Sequence, residues 1–573
     1  MAKNNNNGKK IGSQQSLNSA VKSICDIMRR SNCAGALQYV PELTWILFLR
    51  ILDELETKEA EQAKAVSADF QPSFEYPYRW QDWAAPEGKK RKELIDLQSG
   101  KFFEFVNTDL LPHLKGLKNK PNASTRQKVI SEILSGIDRV RIDTERNYLD
   151  VLDKVHELNE ENIDKTHIFT LSQVYEGLLL KMGEKGNDGG QFFTPRQIIK
   201  AMVKTIAPKI GETVYDPGCG TGGFLAQSFE FMAGENNVKI KSGEQLTRLK
   251  HNTFFGREKD NVAYPIALAN LILHDIDQPN IWHGNTLTGN GIYGGLFENA
   301  PSQFDIVLTN PPFGGKEGKD AQTKFAFKTS ATQALFLQHI IEKLQNGGRC
   351  GMVLDEGLLF RTNEKAFVQT KAKLLDDCEV WCIVSLPAGV FTAAGAGVKT
   401  NLIFFTKGET TEKIWYYDLS DIKVTKKKPL TLEHFEHFFS VLSERKETEK
   451  SWFIDIVEKK RVAQKQAQPF IEEQRKLNQQ IEQLANKIKE LKKQKDEKKT
   501  EELELKIKEL QKQANENANQ AKEILDSVYD LKAVNPNIAP PPPPPPPEEL
   551  IRLIEEKSKE VQKALLELKE KSN

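Results

Sequence analysis

Four consecutive residues, Asn310, Pro311, Pro312 and Phe313, have the types and spacing to hold a planar amino group. They follow an apolar run at 304–309 that predicts a buried strand, and the prolines end it because proline donates no ladder hydrogen bond. The asparagine oxygen and a proline carbonyl could accept both N–H bonds of an amine while the phenylalanine ring stacks on its face. A nucleobase with an exocyclic amine is such a group, although a plain proline turn explains these four residues equally well.

A glycine-rich turn at 214–225 is the second candidate site. Apolar residues before and after it predict a strand, a loop and then a helix. Its glycines permit positive φ and close approach of a ligand, and the helix N-terminus that follows suits an anionic group. The candidate residues are Asp216, Gly218, Gly220, Thr221, Gly222 and Gly223. Many ligand-free turns use glycine as well, and the nearest approach to a P-loop, at 314–320, has the wrong spacing for an ATPase.

Two polar residues at the ends of later predicted strands could complete a nucleoside site. Glu258 ends the run 253–257, where a carboxylate typically holds ribose hydroxyls, but it lies at about twice the usual spacing of roughly 20 residues. The stretch 234–252 must therefore be an insertion or a longer helix. Asn285 follows a short strand at 280–283 and could lie near an adenine ring. A solvated surface carboxylate and an Asx turn are the respective alternatives.

The order of these motifs resembles that of the amino-methyltransferases that act on DNA bases with S-adenosylmethionine. The shared features are the D-P-x-x-G-T-G-G-F turn, the later N-P-P-F turn and the segment 190–196, which is similar to an additional cofactor motif of the adenine-N6 subclass. With its helical N-terminal region, the whole chain resembles the modification subunit of a type I restriction-modification system. The resemblance is strongest over 166–406. It implies a doubly wound α/β methyltransferase sheet and an adenine-specific DNA methyltransferase that needs no metal.

The resemblance also implies a role for each candidate residue. The methionine end of the cofactor would be covered by Gln191, Phe192, Phe193, Thr194, Pro195 and Arg196. Asp216 and the backbone at 218–223 would hold its amino-acid portion. Glu258 would hold the ribose and Asn285 would lie near the adenine, while the flipped target base would be held by Asn310, Pro311, Pro312 and Phe313. Cys219 is interpreted as space-filling, because methylation at a pyrimidine carbon usually needs a Pro-Cys pair and the sequence has none.

Three functions stay open from the sequence. The first is an adenine-N6 methyltransferase subunit that relies on a specificity subunit to read double-stranded DNA, with two modification subunits per complex and a separate restriction and translocase subunit. The second is a self-sufficient amino-methyltransferase, which could act on the N4 amine of cytosine because the N-P-P-F turn does not discriminate the base. The third is a catalytically silent assembly scaffold. The intact turn at Asn310 argues against the scaffold.

Length and composition fit an intracellular, multi-domain protein, and the resemblance implies the prokaryotic cytoplasm. The chain has 573 residues and a formal net charge of +1, so DNA contacts must come from local basic patches or from a partner. The start of the chain shows no apolar signal core, and no run reaches the roughly 18 apolar residues of a membrane span. The 6 cysteines are scattered along the sequence, which predicts reduced, mostly buried thiols.

Composition and periodicity divide the chain into segments. We predict a disordered tail (1–14), a helical N-terminal domain (15–164), the methyltransferase catalytic domain (165–460), a helical hairpin or coiled coil (461–535), a polyproline linker (536–547) and a C-terminal amphipathic helix (548–573). Within the helical domain, 79–86 is predicted to be a loop. The C-terminal helices could pack on their own domain or, as their narrow apolar seam favours, on helices of a partner.

Overall fold

The computed structural model describes residues 14–31, 33, 36–158, 194–295, 300–391, 399–425, 428–494, 497–532, 534–537 and 546–572. Three predicted cofactor residues, Gln191, Phe192 and Phe193, lie outside these ranges, as do most of the predicted N-terminal tail and most of the polyproline run. Within the described ranges, no helix is both long enough and apolar enough to cross a membrane.

The N-terminal region is helical, as its apolar spacing predicts. Its α-helices are Gln14–Arg29, Ala36–Ala65, Trp80–Trp83, Lys89–Leu97, Lys101–Phe105, Leu111–Gly116, Thr125–Leu134 and Glu145–His156, with a π-helical segment Val106–Leu110 and a 3-10 turn Leu117–Asn119. The helix Thr125–Leu134 begins at a capping box, in which the side chains of Ser124 and Gln127 each accept a hydrogen bond from the other's backbone N–H. This box fixes where that helix starts.

The predicted loop at 79–86 is wrong in part, because Trp80–Trp83 forms one helical turn. Both tryptophans are fully buried, and their rings meet edge to face with centroids 5.7 Å apart. Trp80 Nε1 donates to His156 Nδ1 at 3.1 Å, which ties the turn to the helix Glu145–His156. Residues i and i+3 of a helix share a face, so one turn lets both large rings enter the core together.

Ten strands of the described part of the chain form one mixed sheet after the helical region. They are β1 Val214–Asp216, β2 Phe254–Glu258, β3 Asn280–Asn285, β4 Asn290–Gly295, β5 Phe304–Thr309, β6 Leu344–Asp355, β7 Cys378–Ser385, β8 Thr400–Lys407, β9 Lys413–Asp418 and β10 Ser451–Asp455. Their order across the sheet is β10-β9-β7-β8-β6-β5-β1-β2-β3-β4. The central strands β6, β5, β1, β2 and β3 run parallel, and antiparallel pairs flank them at β6–β8 and β3–β4.

The winding direction of the sheet reverses at β1. The strands β2 and β3 are added on one side of β1, and β5 and β6 on the other. Because β1 is parallel to both β2 and β5, the three strands end at the same edge. Ligands of open α/β sheets bind in the crevice at such a reversal, outside the carboxyl ends of the strands. Asp216 and Thr309, the last residues of β1 and β5, stand beside this crevice, and the predicted doubly wound α/β class is confirmed.

Helices cover both faces of the parallel strands. On β5, Ile306 and Leu308 belong to the core on one face and Val307 to the core on the other, which explains the nearly continuous apolar run. The stretch 234–252, predicted to be an insertion or a longer helix, contains the separate helix Gly243–His251. The helices of this domain are Arg196–Ile206, Gly223–Ala233, Gly243–His251, Ala263–Leu273, Lys319–Gln322, Thr332–Lys343, Glu356–Phe360, Lys365–Asp377 and Glu436–Leu442.

An ion-pair network joins the helical region to the sheet domain. Arg126 contacts Glu59 of its own region at 2.7 Å and Asp277, which precedes β3, at 2.8 Å. Lys250 contacts Asp275 at 2.7 Å and Asp277 at 3.4 Å. The three carboxylates lie within 4.8 Å of one another, and the two basic side chains supply the positive charge that such a cluster requires.

Two long helices, Ile456–Gln494 and Glu497–Asp526, form a hairpin after β10. Lys459 Nζ, near the start of the first helix, donates to the carbonyl of Asp530, just after the second, at 2.6 Å, so the helices run antiparallel. The N–H of Leu531 donates to a backbone carbonyl of the sheet domain at 3.0 Å, which fixes the foot of the hairpin there. The strand β9 and the edge strand β10, which precede the hairpin, were not predicted from the sequence.

The last helix, Pro547–Ser572, presents apolar side chains to solvent. Ile551, Ile554 and Val561 are all exposed. These side chains lie on a helix whose spacing is amphipathic, so the helix has an apolar face that its own domain does not bury.

Candidate active site

A cavity of about 470 Å³ lies at the crevice where β1, β2, β3 and β5 end. A volume of this size suits a nucleoside-sized ligand. Most of the predicted site residues that the structure describes line it, namely Thr194, Asp216, Gly218, Gly220, Thr221, Gly223, Glu258, Asn285, Asn310, Pro312 and Phe313. The described residues Pro195, Arg196, Gly222 and Pro311 are their sequence neighbours but do not line the cavity.

The glycine-rich turn connects β1 to the helix Gly223–Ala233 through backbone angles that other residues rarely adopt. Gly220 has a φ of 53° and Gly222 a φ of 79°. At Gly223 packing is the constraint, because a Cβ there would lie 2.8 Å from Ile199 Cδ1. The turn is therefore shaped by two glycines that need positive φ and by a third that lets the helix Arg196–Ile206 pack against it.

Asp216 ends β1 and is almost completely buried, at 1% exposure. Its Oδ1 accepts hydrogen bonds from the N–H of Gly218 at 3.1 Å and from Thr309 Oγ1 at 2.7 Å. Burial raises the pKa of Asp216 to about 7, and the charge of Glu258 acts in the same direction. The two donated hydrogen bonds oppose this shift, because they favour the ionised form.

Glu258 ends β2 and is not a solvated surface carboxylate, since only 8% of it is exposed. Its Oε2 accepts from the N–H of Gly220 and its Oε1 from the N–H of Asp260, both at 2.8 Å. The side chain therefore joins the end of β2 to the glycine-rich turn. Burial raises the pKa of Glu258 to about 7. The cavity thus holds two carboxyl groups that ionise near neutrality, and a cationic or hydroxyl-bearing ligand would favour their ionised forms.

Cys219 occupies space between the turn and β2. Burial raises the pKa of its thiol well above the ordinary value, which disfavours the thiolate that a nucleophile needs. Gly256 makes room for it, because a Cβ at that position would lie 3.1 Å from Cys219 Sγ and 2.6 Å from Ile281 Cδ1. The space-filling interpretation therefore fits its surroundings.

Asn285 ends β3 and forms the Asx turn that was its alternative interpretation. Its Oδ1 accepts from the N–H of Leu287 at 2.9 Å and from the N–H of Thr288 at 3.3 Å. The residue also lines the cavity, so the turn and a place beside the ligand are compatible. The neighbouring Thr286 Oγ1 donates to the carbonyl of Pro217 at 2.5 Å and fastens this loop to the glycine-rich turn.

The amide of Asn310, the residue after β5, is held by the segment that precedes the glycine-rich turn. Asn310 Nδ2 donates to Thr194 Oγ1 at 3.1 Å. Asn310 Oδ1 is buried, and within the described part of the chain it accepts no hydrogen bond. A buried oxygen without a donor costs about 1–3 kcal/mol. This atom is therefore suited to accept a hydrogen bond from a ligand N–H.

Phe313 and the loop after it are fixed by packing. The ring of Phe313 meets that of Phe391 edge to face, with centroids 5.5 Å apart and planes at 73°. A Cβ on Gly315 would lie 2.5 Å from Thr332 Oγ1, so glycine is needed for the loop to approach the helix Thr332–Lys343. The N–H of Thr332 donates to the carbonyl of Gly315 at 3.1 Å. These contacts set the plane of the Phe313 ring beside Asn310.

Only part of the segment predicted to cover the cofactor's methionine end is described. Thr194 lines the cavity. Pro195 is the residue before the helix Arg196–Ile206, and Arg196 forms an ion pair with Glu230 at 3.7 Å. Within the described residues of this segment, Thr194 is therefore the one that reaches the ligand space.

Three residues that were not predicted support the site: Thr309, Thr286 and Phe391. Each contacts a partner far away in the sequence, so no local spacing marks it. For two of them, the sequence signal that could have found them is their position. Thr286 directly follows Asn285, and Thr309 directly precedes Asn310.

Comparison with known proteins places these motifs in a family. A family model described as N-6 DNA Methylase matches residues 166–468, and one described as HsdM N-terminal domain matches residues 17–155. The chain is 34% identical over 437 residues to the type I restriction enzyme EcoEI methylase subunit of Escherichia coli, an alignment that covers 74% of this chain and 82% of that protein.

Solved structures agree with this placement. A protein described as a type I restriction enzyme modification subunit, from Vibrio vulnificus YJ016, matches with a TM-score of 0.66 and 33% identity over 78% of this chain and 93% of that one. A chain from a study of complex assembly and conformational transition in a type I R-M system matches with a TM-score of 0.63 and 32% identity over 98% of both chains.

The first family model spans more than half of the chain, from the segment before the glycine-rich turn to beyond the last strand. It therefore includes every residue that lines the cavity. The chain thus belongs to the N-6 DNA methylase family, as a methylase subunit of a type I restriction-modification system and an adenine-specific DNA methyltransferase that uses S-adenosylmethionine.

Proposed function

We propose that this subunit transfers a methyl group to the N6 amine of an adenine flipped out of double-stranded DNA. In this proposal a specificity subunit chooses the target, two modification subunits serve each specificity subunit, and a separate restriction and translocase subunit completes the assembly. The observation that carries the proposal is Asn310 Oδ1, a buried acceptor without a donor among the described residues. Asn310 lines the same cavity as Asp216 and Glu258.

The polar groups of the cavity suit S-adenosylmethionine. Glu258 can accept hydrogen bonds from ribose hydroxyls, and Asp216 can pair with the ammonium of the amino-acid portion. The glycine-rich turn brings backbone close to the ligand and opens onto a helix N-terminus, which suits a carboxylate. When bound, the cofactor supplies a methyl group on a positively charged sulfur, which is an electrophile without help from a metal.

The Asn310 turn would activate the amine of the target base. Asn310 Oδ1 and the carbonyl of Pro311 can accept its two N–H bonds, which favours a pyramidal nitrogen and stabilises the positive charge that develops on it. Thr194 keeps the amide nitrogen engaged, so the amide oxygen stays available to the base. The turn then acts by alignment, because it holds the nitrogen in line with the methyl group.

Phe313 would stack on the extruded base. Phe391 braces its ring from the edge, so the ring offers a fixed aromatic surface beside Asn310. Inside a duplex, adenine is stacked and its amine is hydrogen-bonded, so the amine cannot reach a cavity at the ends of the protein's β-strands. Enzymes that act on bases in this situation rotate the nucleotide out of the helix. The position of the cavity therefore supports base flipping.

The C-terminal region supports a dependence on a partner. The foot of the hairpin is bound to the sheet domain through Tyr416, whose hydroxyl donates to the carbonyl of Leu531 at 2.8 Å. The helix Pro547–Ser572 instead presents Ile551 and Ile554 to solvent. An exposed apolar helix face suits packing against helices of another subunit, and we assign it to the specificity subunit.

The test is incorporation of labelled methyl groups into unmethylated duplex DNA by the subunit assembled with its specificity partner. We expect Asn310→Ala to lower the rate by about 100-fold or more, as removal of one preorganised charge-stabilising contact typically does. Cofactor binding should survive, because Asn310 is assigned to the base. The matched control is Asn346→Ala, an exposed asparagine near the start of β6, which should keep the wild-type rate.

The outcomes separate the alternatives. A wild-type rate in Asn310→Ala would contradict the assigned role of the turn. Robust sequence-specific methylation by the isolated chain would contradict the dependence on a specificity subunit. Loss of cofactor binding in Asn310→Ala would mean that the turn belongs to the cofactor site and not to the base.

A further inference from the structure

Thr309 lies between the two halves of the proposed site. It is the last residue of β5, it directly precedes Asn310, and its side chain is fully buried. Its hydroxyl donates to Asp216 Oδ1 at 2.7 Å. Thr309 is therefore joined to the cofactor part of the cavity through its side chain and to the base-binding turn through its backbone.

The hydrogen bond of Thr309 extends the contact between β1 and β5 to the sheet edge. The two strands pair in parallel through Val214–Ile306 and Tyr215–Val307. Beyond these pairs, the Thr309 hydroxyl reaches across to the carboxylate that ends β1. The same carboxylate oxygen accepts from the N–H of Gly218 at 3.1 Å, so the glycine-rich turn and the end of β5 share one acceptor atom.

We propose that Thr309 is a positioning residue that couples occupancy of the cofactor site to the geometry of the Asn310 turn. A cationic ligand beside Asp216 favours its ionised form, and hydrogen bonds to a charged acceptor are shorter and stronger. The strengthened bond holds the end of β5, and with it the residue that follows. The inference rests on the proposed function, because coupling needs both a cofactor and an extruded base.

Coupling of this kind is reciprocal. If the cofactor raises the affinity of the turn for an extruded adenine, the adenine must raise the affinity for the cofactor by the same factor. The link also predicts a signature in the titration of Asp216. The Thr309 hydroxyl lowers the pKa of this carboxyl, which burial raises to about 7, so loss of the hydroxyl should shift cofactor binding to higher pH.

Removing the Thr309 hydroxyl leaves the other charged groups around Asp216 unchanged. Those that line the cavity are Arg257, Glu258, Lys259, Asp260, Lys316 and Glu317. A pH shift that appears only when the Thr309 hydroxyl is removed therefore reports on the Thr309–Asp216 bond.

The experiment uses the complex assembled with its specificity subunit and a duplex that carries 2-aminopurine next to the adenine the wild-type complex methylates, so that the target base keeps its N6 amine. Thr309→Val removes the hydroxyl and keeps the shape, and Thr309→Ser keeps the hydroxyl. Thr370→Val is the matched control, because Thr370 is equally buried but donates to the carbonyl of Ala366 within its own helix, away from the cavity. The dissociation constant of sinefungin, a cationic analogue of the cofactor that cannot donate a methyl group, is measured with and without the duplex, from pH 6 to 8.

We expect the duplex to tighten cofactor binding in the wild type, Thr309→Ser and Thr370→Val, within the usual allosteric range of about 5- to 150-fold. In Thr309→Val the ratio of the dissociation constants without and with the duplex should fall close to one. The fluorescence of 2-aminopurine should respond less to cofactor, and the pH midpoint of cofactor binding should rise. Should Thr309→Val not fold, Thr309→Ala is measured in the same way with the same expectation.

Three outcomes would overturn the inference. One is a wild-type coupling factor in Thr309→Val, even if its cofactor affinity falls. Another is an equal loss of coupling in Thr309→Ser, because the hydroxyl would then not be the cause. The third is no coupling in a wild-type complex that methylates adenine. A wild-type complex that methylates no adenine would instead refute the proposed function.

Discussion

Asn310 Nδ2 donates to Thr194 Oγ1 at 3.1 Å, although 116 residues separate the two in the sequence. The contact brings the segment before β1 against the turn after β5, and it engages the amide nitrogen of the residue that we propose binds the base. The amide oxygen is then the atom left for a ligand N–H. The orientation of the amide therefore depends on a residue of the segment that was assigned to the cofactor.

Substitution of Thr194 by valine removes that hydrogen bond and keeps the side-chain shape. We expect methyl transfer to fall by up to about tenfold, which corresponds to one net hydrogen bond of about 0.5–1.5 kcal/mol. The measurement is the single-turnover rate at saturating cofactor, so that weaker cofactor binding does not contribute. Thr194→Ser keeps the hydroxyl and should retain most of the rate. A loss in Thr194→Ser without a loss in Thr194→Val would show that the methyl group, and not the hydroxyl, is what matters.

Gly223→Ala should weaken cofactor binding, because the added Cβ would lie 2.8 Å from Ile199 Cδ1. The Ile199 side chain, which itself lines the cavity, must then move. Gly243→Ala is the matched control: Gly243 also begins a helix, and a Cβ there meets nothing within 4 Å. Calorimetric titration with S-adenosylmethionine gives the affinity of each variant.

The clash at Gly223 also predicts its own rescue. Ile199→Val deletes the atom that the new Cβ would meet, so the double variant Gly223→Ala/Ile199→Val should recover most of the affinity that Gly223→Ala loses. If the double variant binds no better than Gly223→Ala, backbone geometry at the turn is the cause of the loss instead of this contact.

Cofactor affinity should rise with pH between about 6 and 8. Burial raises the pKa of both Asp216 and Glu258 to about 7, and a cationic, hydroxyl-bearing ligand favours their ionised forms. Asp216→Asn removes one of the two ionisations and should flatten the profile, whereas Asp138→Asn, at an exposed position, should leave it unchanged. An affinity that falls as the pH rises would contradict the assignment of both carboxyl groups.

The ligand-free subunit should show the opposite trend in stability. Each of the two carboxyl groups has a folded-state pKa above its ordinary value, so the folded state binds more protons than the unfolded state between about pH 4 and 7. Their contribution to the free energy of unfolding is present in full below about pH 4 and is lost as the pH rises through 7. Urea unfolding of the wild type and Asp216→Asn across this window isolates the contribution of Asp216.

Arg126→Met should destabilise the contact between the helical region and the sheet domain. The change leaves Glu59 and Asp277, each about three-quarters buried, without this partner. We expect the free energy of unfolding to fall by about 1–3 kcal/mol, the usual cost of a polar group left unsatisfied. Lys101→Met, which breaks an exposed pair with Glu104 in the same region, should change it by less than about 0.5 kcal/mol. Equal effects would mean that the network adds no more than a surface ion pair.

The elements that carry the site could be predicted because their signals are local. The apolar run before Asn310 and the glycines after Asp216 each define a strand end within a dozen residues. Two parallel strands that end at one edge then bring the turns together without further information. The cavity accordingly contains residues from each predicted motif.

The contacts that hold the site could not be predicted, because they depend on which strands become neighbours. Thr309 is an unremarkable strand residue until β5 lies beside β1 and its hydroxyl meets Asp216. Glu258 is a plausible surface residue until the glycine-rich turn covers it. Trp80 and Trp83 lie among turn-forming residues, and only the core they fill selects a helical turn over a loop.

The most direct test of the central claim is identification of the modified nucleoside. DNA treated with the assembled complex and S-adenosylmethionine is digested and its nucleosides are resolved by mass spectrometry, for the wild type and for Asn310→Ala. We predict N6-methyladenine in the wild-type digest and a loss of it in Asn310→Ala while cofactor binding persists. N4-methylcytosine as the product, or undiminished N6-methyladenine without the Asn310 amide, would contradict the account.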